Sequence, residues 1–371
     1  MKKIRAICSL IKHYKKYVCG KTYYEGEELK SKFEIVLDHL YYAIKFGELE
    51  PFYFTYGFDR KSITRKRMIT EYITPYYKFQ RQINYLNYHN PRYDKQHERL
   101  TGRVITGDKF YFNIFLTHFG IPTPKVYLFI KDGTPLYIDA TFKVKKEDSA
   151  TKQIEAFLSH DMDAFAKPSD GQLGNGIFAL KVTKGQIYVD NHLVDINEVA
   201  KILTSADYMV QERITQHPKI SEICSSTINS IRLQTVMDKD GKVIPFGAII
   251  RIAKEGASVD NWAKGGIAVG INMNDGTLKS TGIIKPIYGT SVKEHPNSHI
   301  KFEGFEIPFY KEAEQLAIAL HKKLYRCHSV GWDIAITENG PCFIEANGLW
   351  EVSLIQAANE GLKHIEKYFY Y

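Results

Sequence analysis

Apolar residues recur at the spacing of a helix in several parts of the chain. From Leu29 to Phe46 they fall every three or four positions, and from Phe110 to Phe119 they do so again before a glycine. This periodicity predicts helices, and the whole segment from Met1 to Leu49 is expected to be mostly helical. The other predicted helices are Ile154–Leu158, Lys311–Tyr325 and Ser353–Tyr368.

Runs of β-branched and aromatic residues between turn residues predict strands. Val126–Ile130 is one such run, and it closes at Asp132-Gly133. Residues 163–345 then alternate short apolar runs with turns rich in Gly, Asn and Asp. Helices and strands mixed in this order predict an α+β fold.

The composition is that of an ordinary globular protein, with 44% hydrophobic and 25% charged residues in 371. No apolar run approaches the roughly 18 residues that cross a bilayer, so we expect no membrane span. The five cysteines are odd in number and lack CxxC spacing, which favours reduced thiols and a cytoplasmic location.

The basic charge and the tyrosines are concentrated at the start of the chain. Residues 1–100 hold 20 Lys and Arg against 11 Asp and Glu, and 14 of the 25 tyrosines, whereas residues 101–371 hold 30 against 31. We therefore predict a basic, Tyr-rich, largely helical N-terminal segment, 1–100, and a second, nearly neutral region, 101–371.

The sequence leaves the role of the N-terminal segment open. Its first helix is either a solvated helix packed on the body or an amphipathic anchor on the inner, anionic face of a membrane. Aromatic residues interleaved with basic ones, as at 52–58, also occur in single-stranded nucleic acid binders. Because no repeat or recognition motif accompanies them, we expect no nucleic acid partner.

A glycine-rich loop follows a strand that ends in a lysine. Lys167 precedes Asp170, and Gly171, Gly174 and Gly176 follow before the next apolar strand. Glycines let backbone amides approach phosphate oxygens, and a lysine adds a cation. The pattern is no Walker A loop, because no GK[ST] opens a helix after it. A merely structural hairpin turn explains the glycines equally well.

A second candidate segment is Val210–Ile214, where an apolar strand runs into Gln211 and Glu212. Backbone and carboxylate groups at such a strand end are suited to an adenine edge and a ribose. A strand end with surface charges is the alternative.

Two acidic strands form a predicted hairpin around Glu338-Asn339-Gly340. That register places Asp333 opposite Glu345 on one face, with Asn347 two residues further on. Two facing carboxylates repel each other unless a cation lies between them, and oxygen ligands favour Mg²⁺ or Mn²⁺. A slip of one residue would place the carboxylates on opposite faces.

Two arginines lie within strongly apolar strands. Arg232 and Arg251 each need an anionic partner, either in a structural ion pair or in a bound phosphate or carboxylate. The polar loop from Val259 to Gly266 is typical of a lid or ligand contact. His217-Pro218 and His295-Pro296 look like loop residues, and the histidines form no recognisable metal-binding cluster.

Taken in order, these motifs resemble the sugar-transfer-associated ATP-grasp family over about residues 100–360. The residues that carry the resemblance are Thr227–Arg232, Val259–Asn261, Gly265–Ile267, His295-Pro296, Ile307-Pro308, Gly331–Asp333 and Ile344–Gly348.

The resemblance implies a fold and a role for each motif. It implies an α+β ATP-grasp fold, in which two subdomains grip ATP between antiparallel sheets, with about 150–212 as the lid. Lys109 and Lys167 would contact phosphates under the Asp170–Gly176 loop. Gln211, Glu212 and Ile214 would line the adenine site, with Glu212 or Glu222 at the ribose. Asp333, Glu345 and Asn347 would hold one or two Mg²⁺ ions, or Mn²⁺. Arg251, Arg232 and Asn261 would act in catalysis, Arg251 at the γ-phosphate.

The implied activity is an ADP-producing carbon–nitrogen ligase. It would join a small-molecule carboxylate to an amine through an acyl phosphate, with an amino acid or similar group attached to a sugar or glycan precursor. The alternative is a kinase of the same fold that phosphorylates a small-molecule or sugar hydroxyl. Where many ATP-grasp ligases carry Pro-Gly after the metal-binding Asn, this chain has Gly348–Glu351.

Overall fold

The computed structural model describes most of the chain. The described residues are 1–24, 26–88, 103–145, 148–169, 176–254, 256, 260, 262–285, 290–324 and 327–370, without the side chains of 103, 104 and 263. The chain divides into two compact units: unit 1 is Met1–Arg103, Gln216–Gly340 and Asn347–Tyr371, and unit 2 is Val104–Thr215 and Pro341–Ala346. The boundary at residue 100 stays a prediction.

The helices begin and end as follows: α1 Lys2–Lys12, α2 Tyr14–Val18, α3 Lys32–Phe46, α4 Arg65–Thr70, α5 Tyr76–Tyr88, α6 Arg103–Gly107, α7 Lys109–His118, α8 Ala150–Leu158, α9 Ile196–Thr204, α10 Pro218–Ser221, α11 Tyr310–Lys323 and α12 Val352–Asn359. Two 3₁₀ helices, Trp262–Lys264 and Lys363–Tyr368, complete the helical elements of the described residues.

The strands are β1 Val126–Lys131, β2 Thr134–Ile138, β3 Met162–Pro168, β4 Phe178–Thr183, β5 Gln186–Val189, β6 His192–Val194, β7 Tyr208–Glu212, β8 Ile231–Met237, β9 Val243–Ile252, β10 Ile267–Ile271, β11 Leu278–Ile284, β12 Ser329–Thr337 and β13 Gly340–Asn347.

Unit 2 is built on a seven-stranded sheet in the order β2-β1-β7-β3-β4-β5-β6. Every neighbouring pair is antiparallel. Helices α8 and α9 cover one face, where Phe157 and Leu203 pack with Ala164, Leu180 and Val210 in a buried cluster. The alternation of buried and exposed residues along β4 explains why this sheet has one apolar face.

The second sheet has six strands in the order β11-β10-β9-β8-β12-β13. All eight residues Ser329–Ile336 of β12 are buried, as expected for a strand in the interior of a sheet. The predicted hairpin is confirmed, because only Glu338 and Asn339 separate β12 from β13 and Gly340 adopts φ +106.

The N-terminal helices pack within unit 1. Helix α3 begins with a capping box between Ser31 and Glu34 and ends at Gly47 in the left-handed region, so the predicted helix is confirmed. In helix α5, Phe79, Ile83 and Leu86 share a buried cluster with Trp350 and Phe369. The N-terminal segment therefore contributes to the hydrophobic core of unit 1.

The prediction of one continuous helix at Ser353–Tyr368 is wrong. Helix α12 ends at Asn359, because Glu360 and Gly361 have φ of +58 and +108. A Cβ atom at Gly361 would lie 2.4 Å from the carbonyl oxygen of Glu71, so only glycine permits this approach. The chain then continues as the 3₁₀ helix at Lys363–Tyr368.

Candidate functional site

Asp333 lies opposite an arginine in the sheet of unit 1. Strand β12 pairs antiparallel with β8, and the register sets Asp333 across from Arg232. Arg251 is two residues along β9 from Ile249, which is the other cross-strand partner of Arg232. Because side chains two residues apart share a face, all three polar side chains lie on one face of the sheet.

Both arginines bind the same carboxylate. The guanidinium of Arg232 contacts Asp333 twice, through Nε to Oδ1 and through Nη2 to Oδ2 at 2.9 Å. Arg251 Nη2 donates to Asp333 Oδ2 at 3.1 Å. Burial alone would raise the pKa of the Asp333 carboxyl, but the two guanidinium groups outweigh it and lower the pKa. The carboxylate is therefore ionised at neutral pH.

A serine and a second aspartate complete this arginine–aspartate cluster. Ser230 Oγ donates to Asp260 Oδ2 at 2.5 Å and accepts from Arg251 Nη2 at 2.5 Å. The Ser230 backbone amide also donates to Asp260 Oδ2, at 2.9 Å. Neither Ser230 nor Asp260 was predicted as a site residue. Two signals in the sequence could have identified them. Ser230 lies two residues before the predicted site residue Arg232, and Asp260 is the neighbour of the predicted site residue Asn261.

The cluster opens toward solvent on its cationic side. The side chains of Arg232 and Arg251 are 18% and 17% exposed, whereas the Asp333 side chain is 6% exposed. An added Cβ at Gly331 would lie 3.3 Å from Cδ of Arg232, so a glycine there leaves room for the arginine stem. The arginine side chains of the cluster are therefore more accessible to solvent than its carboxylate.

The predicted metal ligands have donor chemistry that suits Mg²⁺. A carboxylate offers about four lone-pair positions, and Asp333 uses three of them for the arginines, which leaves one on Oδ1. Asn347 Nδ2 donates to the carbonyl of Gly331 at 3.5 Å, so its Oδ1 is the atom available as a ligand. Glu345 lies in β13 and is partly exposed. Its pairing with Asp333 stays a prediction.

Within the ranges that the structure describes, no group of three or more His, Cys, Asp and Glu residues could hold a metal ion. The predicted set contains only two carboxylates and one amide. Mg²⁺ is commonly bound by one or two carboxylates together with substrate phosphates, so the set fits the ion.

In unit 2, the two predicted phosphate lysines lie near the end of one strand. Lys167 is 8% exposed and is the penultimate residue of β3. Lys109 Nζ donates to the carbonyl of Ser169, two residues beyond Lys167, at 3.5 Å. Asp108 caps helix α7 by accepting from the amides of Phe110 and Tyr111, which fixes Lys109 in the first turn.

The glycine loop lies partly outside the described residues. Asp170, Gly171 and Gly174 belong to that part, so the predictions on them stay predictions. Gly176 is described and has φ +72, and its carbonyl accepts from the hydroxyl of Tyr208 at 3.1 Å. A Cβ there would lie 3.0 Å from Cγ of Pro168. The return end of the loop thus packs beside the end of β3.

Gln211 and Glu212 lie on β7, and Ile214 follows the strand. Gln211 is buried and pairs with Phe165 of β3, whereas Glu212 is exposed and Ile214 is partly buried. Burial raises the pKa of the nearby Cys342 thiol to about 12, with Glu212 adding to the increase and Lys167 opposing it. Glu212, Lys167 and Cys342 therefore lie close together within unit 2, and sequence reasoning missed the cysteine.

The remaining predicted residues fall into three groups. Asn261 lies outside the described residues. His295 is fully buried with Nε2 3.1 Å from the carbonyl of Ala253, and His217 caps α10. Glu222 follows α10 in unit 1. None of these positions decides which carboxylate would bind a ribose.

Two α+β units with antiparallel sheets, Lys109 and Lys167 near the end of β3, and Asp333 paired with two arginines are the features expected of an ATP-grasp protein. The chain belongs to the sugar-transfer associated ATP-grasp family, whose sequence model matches residues 88–368. The predicted family and fold class are thereby confirmed.

Solved structures with similar folds have low identity to this chain. Biotin carboxylase from Campylobacter jejuni is 12% identical with a TM-score of 0.41, and the alignment covers 72% of this chain and 47% of that one. An L-amino acid ligase from Bacillus licheniformis is 9% identical with a TM-score of 0.37, and coverage is 71% and 44%. D-alanyl-alanine synthetase A from Vibrio cholerae is 15% identical with a TM-score of 0.37, and coverage is 71% and 66%.

The chain thus spans less than half the length of the first two of these proteins. No curated protein sequence matches the chain.

Proposed function

We propose that the protein is an ATP- and Mg²⁺-dependent ligase that joins a carboxylate to an amine and releases ADP and phosphate. The observation that carries the proposal is the arginine–aspartate cluster, in which an ionised, buried Asp333 contacts two partly exposed arginine side chains. Membership of the ATP-grasp family supports ATP as the phosphoryl donor.

The charges of the cluster explain why further cations are needed. Arg232 and Arg251 are balanced by Asp333 and Asp260, so the cluster is neutral in total. A triphosphate therefore needs additional positive charge, which Lys109, Lys167 and a divalent ion would supply. Bound Mg²⁺, held by Asp333, Glu345 and Asn347, would neutralise phosphate charge.

The reaction has two balanced steps. A carboxylate oxygen of the substrate attacks the γ-phosphorus, and the bond from that phosphorus to the β–γ bridging oxygen breaks, which releases ADP. The amine nitrogen then attacks the carbonyl carbon of the acyl phosphate, loses a proton, and expels phosphate to leave an amide. Arg251 would stabilise the charge on the transferred phosphoryl group, and Arg232 and Asn261 would act near the acceptor.

No nucleophilic side chain is required for this chemistry. Exclusion of water is required, because water would hydrolyse the acyl phosphate. We assign this task to the loop 170–176. As substrates we propose an amino acid or similar group and a sugar, glycan precursor or related metabolite, and the association of the family with sugar transfer supports the second of these.

The proposal is tested by product analysis. Purified protein, ATP and Mg²⁺ are incubated with pools of amino acids, amino sugars, uronic acids and nucleotide sugars, and products are identified by mass spectrometry. We expect ADP release that needs two co-substrates, with a product one water lighter than their sum. A stable phosphate adduct of one co-substrate would establish the kinase instead.

The proposed metal site is best tested with Glu345→Gln. Asp333→Asn is less specific, because it would also leave two arginines without their buried carboxylate. We expect Glu345→Gln to lower substrate-dependent ADP release roughly a hundredfold or more, since one ionic ligand of the divalent ion is lost. Glu338→Gln in the exposed turn of the same hairpin is the matched control and should retain wild-type turnover.

Thermal unfolding separates loss of chemistry from loss of fold. Glu345→Gln should melt near the wild-type temperature without ligand, and Mg²⁺-ATP should stabilise the wild-type protein. Normal turnover by Glu345→Gln would contradict the metal assignment, and no stabilisation of the wild type by Mg²⁺-ATP would contradict the nucleotide assignment.

A further inference from the structure

Helix α1 carries two apolar faces. Ala6 and Leu10 are buried in the cluster that also contains Tyr42 and Tyr53, so this face fastens the helix to unit 1. Other apolar residues of the same helix point away from the protein: Ile4 is 67% exposed and Ile11 is 72% exposed.

The exposed apolar residues form a continuous stripe. Met1, Ile4, Cys8 and Ile11 are all exposed, and they follow one another at spacings of three, four and three residues. At 100° per residue these four positions lie on one side of the helix, roughly opposite the side that carries Ala6 and Leu10. A helix that merely packs on the body needs only one apolar face, so the outer stripe has another cause.

Basic residues surround the stripe. The first 24 residues contain seven Lys and Arg and no Asp or Glu. Six of these cations lie in or beside α1 and α2 and are exposed: Lys2, Lys3, Arg5, Lys12, Lys15 and Lys16. An apolar stripe flanked by cations is complementary to an anionic lipid surface, where acyl chains lie beneath negatively charged headgroups.

We propose that α1 docks on the surface of an anionic bilayer. The stripe at Ile4, Cys8 and Ile11 inserts at the level of the headgroups, and the flanking lysines and arginine contact lipid phosphates and carboxylates. Among the described residues, no helix has the length and apolarity to cross a bilayer. The proposed contact is therefore reversible adsorption of a helix that lies in the interface plane. It does not depend on the ligase reaction.

The surface charge distinguishes lipid from a second copy of the chain as the occupant. Two copies of the α1–α2 segment facing each other would bring twelve exposed cations together, and neither helix contains an acidic residue. An anionic membrane has the opposite charge, and its acyl chains can also bury the apolar stripe.

Vesicle sedimentation tests the proposal on the full-length protein. Unilamellar vesicles of phosphatidylcholine alone are compared with vesicles that also contain about 30 mol% phosphatidylserine, over a series of salt concentrations. We expect the protein to sediment with the anionic vesicles, to remain largely in solution with the neutral ones, and to be released as salt is raised.

Two variants separate the apolar stripe from the charge. Ile4→Ser/Ile11→Ser and Lys12→Glu/Lys15→Glu should each weaken binding to the anionic vesicles about tenfold or more. Leu193→Ser, at an apolar residue 63% exposed on unit 2, and Lys239→Glu, in the exposed β8–β9 turn, are the matched controls and should bind like the wild type.

Cysteines report the orientation of the helix. Cys8 lies within the stripe, whereas Cys19 is exposed beyond α2. An environment-sensitive fluorophore on Cys8, in a Cys19→Ser background, should shift to the blue on addition of anionic vesicles. The same fluorophore on Cys19, in a Cys8→Ser background, should shift less.

Several results would overturn the proposal. It fails if the wild-type protein does not sediment with anionic vesicles, if the Ile4/Ile11 variant binds like the wild type, or if the Cys8 fluorophore stays in a polar environment. Binding to single-stranded RNA that competes away the vesicles and depends on the lysines but not on the isoleucines would assign α1 to nucleic acid instead.

Discussion

Three buried histidines link the stability of unit 1 to pH. Burial lowers the pKa of His39, His321 and His328 to about 4 each, although each ring has a backbone carbonyl within hydrogen-bond distance. His321 Nδ1 lies 2.8 Å from Thr235 Oγ1, which also accepts from Trp332 Nε1, and His321 Nε2 lies 3.2 Å from the carbonyl of Cys327. These contacts suit a neutral ring with the proton on Nε2.

We predict that the free energy of unfolding falls as pH is lowered from about 6.5 toward 4. In that window the unfolded chain binds protons at these histidines and the folded chain does not, so each histidine lowers stability by about 1.4 kcal/mol per pH unit. Glu50 acts in the opposite sense, because burial raises its pKa to about 8 and folding therefore favours its protonated form at lower pH.

The measurement is urea unfolding at several pH values for the wild type and His39→Gln. For the variant, the free energy of unfolding should change less steeply with pH. The difference in slope should correspond to one proton fewer taken up on unfolding. An unchanged slope would mean that His39 is protonated in the folded protein.

At the scale of single residues, the sequence indicated which side chains needed partners and left the partners open. Arg232 and Arg251 in apolar strands called for anions, and the structure supplies Asp333 and Asp260. The reason is register: Arg232 and Asp333 are 101 residues apart, and only the pairing of β8 with β12 brings them together.

At the scale of elements, helix α5 is fastened to the segment that follows Asn347. Asn87 Nδ2 donates to the carbonyls of Gly348 and Ser329, and its Oδ1 accepts from the amides of His328 and Ser329, each at 3.0 Å. About two turns earlier on the same helix, Gln80 Nε2 donates to the carbonyl of Trp350 at 2.9 Å. The segment after Asn347, the predicted metal ligand, is the one that departs from Pro-Gly, and helix α5 of the N-terminal segment contacts it directly.

Asn87→Ala should lower the free energy of unfolding by about 3 kcal/mol or more. The substitution removes the side-chain acceptor that the amides of His328 and Ser329 share and a donor to two buried carbonyls. Asn84→Ala, one turn earlier on the same helix and partly exposed, is the matched control and should cost less than about 1 kcal/mol. Equal effects of the two substitutions in urea unfolding would contradict the assigned role of Asn87.

Elements themselves were largely predictable, because their signals are local. The capping box of α3, the Asp108 cap of α7 and the turn at Asp132-Gly133 lie within a few residues of the elements that they delimit. The end of α12 was not predictable, because Gly361 is required by the backbone of Glu71, 290 residues away in the chain.

At the scale of the whole molecule, the N-terminal segment and the later strands share one core. Phe79, Ile83 and Leu86 of α5 pack with Trp350 and Phe369, and the cluster beneath α1 includes Ile283 and Ala357. The family match begins at residue 88, so most of this contribution precedes the matched region.

A chain shortened to begin at residue 89 should therefore fail to fold. Removal of α5 exposes the apolar surface of Trp350, Ile355 and Phe369, and removal of α3 exposes that of Ile283 and Ala357. Soluble yield and near-ultraviolet circular dichroism are the measurements. Deletion of residues 1–13 is the control, because it removes only Ala6 and Leu10 from the core, and this shorter protein should fold. A cooperative unfolding transition in the chain from 89 would contradict the shared core.

The sequence by itself determined the α+β class, the ATP-grasp family and elements such as α3, α7 and β1, because periodicity, caps and turns act over a few residues. It also indicated the chemistry, since lysines beside glycines and carboxylates in a hairpin are local patterns. Only the tertiary structure decided that Asp333 binds two arginines, that Ser230 and Asp260 belong with them, and that Asn87 braces Gly348. These contacts join strands and helices distant in the chain, and packing alone sets their register.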